Sequence, residues 1–134
     1  MTSPDEAINE IAETIGVMII PMEMEMDRFG FFNSDLNAIA YNDKLGPVTR
    51  RMIILHELGH ALSYKRLGEK KTVIDNIKHE YAANKFMIRY EVEQYINEVG
   101  LDQFTIDNFM SRYDFPDEFK PFVRRMIKKA LKIK

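Results

Sequence analysis

His56-Glu57-Leu58-Gly59-His60 is the stretch of this 134-residue chain whose residue types and spacing could do chemistry. On a helix, positions four apart share a face, so His56 and His60 can aim two imidazoles at a single point. Neutral imidazole is a borderline-soft donor well matched to Zn²⁺. Glu57 stands one position round the helix from His56, too far round for a straightforward third ligand. From there it can reach a water held at the metal's open position and take its proton. Two ligands and a general base from one turn of helix is the physical content of the HExxH pattern. Either histidine alone would more simply be a packed or surface side chain, and Glu57 a solvated charge. The five residues together, set inside the apolar run Ile53–Leu62 that suits a buried helix, favour a metal site.

The rest of the chain must position that turn. Ser3, Pro4, Asp5 and Glu6 read as a helix start: a cap, a first-turn proline and early acids. Ile8, Ile11, Ala12 and Ile15 recur at helical spacing up to a stop at Gly16. Val17–Ile20 reads as a short strand, and Met22, Met24 and Met26 alternate with acids as one packed face rather than a copper site. Gly30 suits a turn, and Leu36–Tyr41 reads as another strand before the loop Asn42–Pro47. These segments predict a small antiparallel sheet ahead of the metal helix, which Thr49 would cap and which would end near Gly68. A long helix is expected from about Thr72–Asp75 to Gly100, a shorter one over Thr105–Tyr113, and a last one beyond Pro116 and Pro121. The expected class is therefore α+β, with residues 1–134 as a single domain.

Composition narrows the chemistry. With 46% apolar and 30% charged residues the chain can build a core, and a net charge of −2 gives no general pull toward nucleic acid or membrane. Cysteine is absent, so a metal must be held by histidine and carboxylate, with no disulfide framework. No stretch reaches membrane-spanning length and the N-terminus lacks signal-peptide character, so the cytoplasm is the expected compartment. From Lys120 to the end there are seven basic residues and no acid. Such a tail is ordinarily a solvated helix face, and nucleic-acid binding would have only that tail behind it.

Two histidines do not hold catalytic zinc, and a third protein ligand is expected. Ser63 and Arg66 stand where an extended metzincin pattern would place Gly and His, which excludes that class. Asp75, His79 and Glu80 on the following helix remain, and Glu80 is favoured. It lies a loop and a returning antiparallel helix away from His60, and Ala82 and Ala83 after it allow close helix packing. Asn84, one turn on, could hydrogen-bond the outer nitrogen of a ligating histidine. His79 points elsewhere on the helix and reads equally as a surface side chain or as a proton donor or oxyanion stabiliser, beside Tyr64, Tyr81 and Tyr90.

Arg51-Met-Ile-Ile-Leu-His-Glu-Leu-Gly-His, followed by Glu80-Tyr-Ala-Ala-Asn-Lys-Phe and preceded by Ala38-Ile-Ala-Tyr-Asn, is similar to the ImmA/IrrE family of metallopeptidases. The resemblance implies a minimal zincin-like fold with His56, His60 and Glu80 as zinc ligands and Glu57 as catalytic base. It further implies a protein substrate, a helix-turn-helix repressor of a phage or mobile element. The chain departs from the family where Met87-Ile-Arg-Tyr replaces an expected Leu-Leu-x-Pro run. A peptide could be held by edge pairing with the strand ending near Asn42. The competing reading keeps the zinc without the cleavage: a metal-stabilised module that sequesters a repressor or another regulator.

Overall fold

The structure is a computed structural model that describes residues 4–69, 71–113 and 115–133. Helix α1 (Pro4–Ile15) leads into strands β1 (Met18–Met22), β2 (Gly30–Asn33) and β3 (Ala38–Asn42). Then follow α2 (Pro47–Leu67), α3 (Val73–Val99), α4 (Ile106–Tyr113) and α5 (Lys120–Ile133), the last two each preceded by a single tight helical turn. The class is mixed α+β, as a minimal zincin-like domain requires. The cap expected at Ser3 lies outside the described residues, as do Lys70 and Lys134. No helix among the described residues is long and apolar enough to cross a membrane. Backbone proximity separates two compact units, one up to Met87 and one from Ile88 on, and α3 runs through both.

In the first unit the sheet order is β1-β3-β2, with β1 and β3 parallel and β2 and β3 antiparallel. The expected antiparallel sheet is thus corrected to a mixed one. Consecutive strands β1 and β2 do run in opposite directions, but β3 inserts between them and must then be parallel to β1. The residues between β1 and β2 have to bridge two strand spacings, about 10 Å, which a two-residue hairpin turn does not span. Asn42, buried at the end of β3, holds that connection in place. Its Nδ2 donates to the carbonyls of Glu25 at 3.1 Å and Arg28 at 2.8 Å, while its Oδ1 accepts from the Lys44 N–H at 3.1 Å.

A carboxylate of the same shape cannot donate to two carbonyls. Asn42→Ala loses three bonds of roughly 1 kcal/mol each, and Asn42→Asp, which keeps the Lys44 bond but turns a carboxylate oxygen toward two carbonyls, should cost as much, about 2–3 kcal/mol. Urea unfolding checks this, and an Asp variant as stable as the parent would show that the side chain does not organise the loop.

Three further local readings change. The methionine face is not packed: Met26 is 80% exposed and Met22 43%, because Met22 ends β1 and Met26 sits in a turn. Gly30 opens β2 instead of a turn, and it is needed there for closeness. A Cβ at that position would lie 2.7 Å from the Ala40 carbonyl oxygen and 2.9 Å from Ile53 Cγ2 on α2. Helix α2 begins two residues before Thr49, with Gly46 as cap residue and Pro47 in the first turn. Proline lacks an N–H to leave unsatisfied and has its φ preset for that position, so the helix starts as soon as the chain allows. It stops at Gly68, whose φ of 80° favours glycine and whose N–H donates to the Tyr64 carbonyl at 2.8 Å.

Ile54, Leu55, Leu58 and Ala61 of α2 are buried, and Ile39 of the central strand is fully so. The second unit is built on an aromatic cluster. Phe109 of α4 has no exposed surface, and Tyr95, Phe104, Tyr113 and Phe115 surround it with ring centroids 5.1–5.6 Å away. Thr105 caps α4 as expected, its hydroxyl oxygen accepting from the Asn108 N–H at 3.2 Å. Arg112 donates to Glu98 at 3.1 Å, a bond that raises the guanidinium pKa above its usual value.

Candidate metal centre

The HELGH turn lies in the middle of α2 and α3 returns beside it. The two helices touch at backbone level. A Cβ on Gly59 would stand 2.7 Å from Ala83 Cα and 2.8 Å from the Ala83 carbonyl oxygen. Only glycine permits that separation, and Glu80, one turn before Ala83, is thereby carried to the histidines. His60 Nε2 lies 2.8 Å from Glu80 Oε1, and His56 Nε2 lies 3.3 Å from Glu80 Oε2. The two Nε2 atoms are 3.1 Å apart. The three residues form a group able to hold a metal ion.

The donor set fits such an ion. Ligand atoms about 2.0–2.1 Å from a tetrahedral ion stand roughly 3.3 Å from one another, close to the three separations in this group. Without an ion, two neutral imidazoles meeting through Nε2 can share only one proton. An ion at the centre satisfies both nitrogens and the carboxylate together. Two imidazoles and one carboxylate, without thiolate, also leave room for a fourth, exchangeable position.

Asp75 and His79 stand apart from this group. Asp75 Oδ2 accepts from the Lys71 N–H at 3.2 Å, and its own N–H is capped by Thr72 Oγ1 at 3.0 Å, so it serves the start of α3. His79 is buried on the side of α3 toward α2, with Nδ1 2.6 Å from Ser63 Oγ. Its Nε2 is buried without a hydrogen-bond partner among the described residues. His79 therefore ties the two helices together one residue before Glu80 and does not line the cleft. Asn84 makes no hydrogen bond to either ring nitrogen of His56 or His60 among the described residues, so the expected orienting role is not seen. Tyr64, of the hydroxyl candidates, lines the cleft, while Tyr81 lies under the Lys85 ammonium and Tyr90 belongs to the second unit.

That cleft measures about 520 Å³ and is lined by Gly30, Phe31 and Phe32 of β2 together with Glu57, His60, Tyr64 and Glu80. A candidate base, His60 and Glu80 of the candidate metal group and the edge strand β2 thus face one space. The peptidase family model described as the IrrE N-terminal-like domain matches residues 12–116. The chain belongs to this IrrE-like peptidase family. The match includes the sheet, the HELGH turn and Glu80, while α5 and most of α1 fall outside it. No curated protein matches the chain. Metallopeptidase activity is the family-level expectation, and the His-His-Glu group in the matched region agrees with a metal-dependent member.

For an IrrE-like peptidase with this centre, one divalent ion should bind per chain. His60→Ala and Glu80→Gln should each lower affinity at least about tenfold, the scale on which even outer partners of a metal site act. At a free ion concentration a hundred times Kd, binding should stabilise the fold by about 2.7 kcal/mol, and a chelator should remove that gain. Equilibrium dialysis with thermal unfolding reads both quantities. Unchanged affinity in the variants would place the ion elsewhere.

Proposed function

We propose that the protein is a cytoplasmic zinc-dependent endopeptidase that cleaves a helix-turn-helix repressor of a phage or mobile element. The observation that carries this reading is the placement of Glu57 in the same cleft as His60 and Glu80, beside the open edge of β2. His56, His60 and Glu80 would hold the ion. When bound, zinc supplies Lewis acidity toward a carbonyl oxygen and brings the pKa of a coordinated water to about 7. Glu57 accepts a proton from the attacking water and passes it to the leaving amine. Tyr64, which lines the cleft, would donate its hydroxyl to the developing oxyanion.

Edge pairing belongs to β2. The strand ending at Asn42 is central, with β1 on one side and β2 on the other, so it has no open edge. Asn42 N–H donates to the Phe29 carbonyl at 2.8 Å, and alternation along the pair then gives Phe31 and Asn33 to β3. Gly30 and Phe32 turn their N–H and C=O groups outward, where an extended substrate can add as a further strand. Phe32→Pro removes an outward N–H without breaking a bond to β3, so cleavage should fall while metal uptake persists. Normal turnover in that variant would remove edge pairing from the mechanism.

The test of the whole reading is incubation of zinc-loaded protein with the purified repressor of the element that carries it, followed by intact-mass analysis. Two defined fragments with the parent protein, and none with Glu57→Gln, are expected. A repressor bound by both forms and cut by neither would replace the peptidase reading with that of a sequestering module.

A further inference from the structure

We infer that the second unit carries a docking groove for an acidic amphipathic helix of a protein partner. The groove, about 560 Å³, runs between the second half of α3 and α5, and it shares no residue with the cleft of the metal centre. Its floor is apolar: Val92 and Phe122 are buried at the bottom, and Ile96, Met126 and Ala130 stay half-buried along its length. Phe122, Met126 and Ala130 recur four apart and so form one continuous stripe of α5. The rim is cationic. Arg89, Arg125 and Lys129 line it against the single acid Glu93, and the Arg89 guanidinium sits 5.8 Å from the centroid of the Phe122 ring. Arg124 and Lys128 extend the same charge over the exposed side of α5.

Charge complementarity selects the occupant. An apolar floor bordered by cations fits a helix with apolar anchors at i, i+3 or i+4 and i+7, flanked by Asp and Glu. The lined stretch of each helix is about two turns, so the matching segment is roughly 8–11 residues long. Phosphate backbone would use the cations but gain nothing from the Ile96–Met126 floor. A second copy of this chain is a poor occupant, because its own acidic helix α1 already buries Ile8 and Ala12. The inference is independent of the peptidase reading and stands or falls without it.

The experiment uses the full chain and four fluorescein-labelled probes read by anisotropy. They are a designed 12-residue peptide with Leu at i, i+3, i+4 and i+7 and Glu on its flanks, its scrambled version, a Lys-for-Glu version and a short DNA duplex. The patterned acidic peptide should bind saturably and at least about tenfold tighter than the other three, a difference of one decade in Kd. Arg125→Glu combined with Lys129→Glu should reverse the preference toward the Lys peptide. Met126→Glu should abolish binding of both patterned peptides. Circular dichroism and unfolding midpoints confirm that these variants, at exposed or half-buried positions, stay folded. DNA binding better than the acidic peptide, equal binding of the scrambled peptide, no saturable binding, or a charge reversal without a change of preference would each overturn the inference.

Discussion

Glu57→Gln should leave metal uptake unchanged and lower the rate of peptide cleavage about 10²–10⁴-fold, the range that positioned general bases supply. Glutamine keeps the shape and the hydrogen-bonding reach of the side chain but cannot accept a proton. The candidate ligands are untouched, because Glu57 lines the cleft from α2 and stands outside the His56, His60 and Glu80 group. The loss should therefore appear in kcat with little change in KM, the pattern of an interaction needed only in the transition state. Metal content of the same preparation, measured by atomic spectroscopy, keeps the two effects separate. Cleavage within a few-fold of the parent would mean that another group takes the proton and that Glu57 is not the base.

The second large effect belongs to a residue with no chemistry at all. Gly59→Ala improves helix propensity by about 1 kcal/mol, so on an isolated helix it would stabilise. Between α2 and α3 the new methyl meets Ala83 Cα at 2.7 Å and its carbonyl oxygen at 2.8 Å, and no flexible side chain stands there to yield. The helices must spread, at a net cost of about 1–3 kcal/mol, more for Gly59→Val. Because Glu80 travels with α3, metal affinity should fall together with stability. Ala83→Gly should not rescue the variant, since the methyl strikes the backbone of residue 83 and not its side chain. Urea unfolding and metal titration of the single and double variants test this, and an unperturbed Gly59→Ala would show that the helix crossing has slack to absorb a methyl.

The sequence was most legible where periodicity and chemistry coincide. The HELGH turn could only work on a helix, and the small residues after Glu80 marked a helix able to approach closely. Thr72 and Thr105 cap as their types suggest, because capping is decided within three residues. Strand order was not legible, since placing β3 between β1 and β2 depends on partners distant in sequence. The apolar-polar alternation of Met22 to Met26 mimicked a packed face in a segment that is mostly irregular loop. His79 reads from sequence as either a pocket donor or a surface side chain and is neither, because its direction is set by Ser63, across the helix pair. One signal for that bond was present: Gly59 and Ser63, small residues four apart, mark the face of α2 that meets α3.

The three side chains of the centre differ in how much water they meet: 6% of the surface for His60, 19% for His56 and 49% for Glu80. Burial of that kind sets an order in time. Packing holds His60 in one rotamer, whereas Glu80 has three torsions and a half-wetted carboxylate that can swing aside without disturbing the core. For an ion held here, exchange with the surroundings would run through the carboxylate, first to meet an arriving ion and first to release a departing one, while the buried histidine half stays in place.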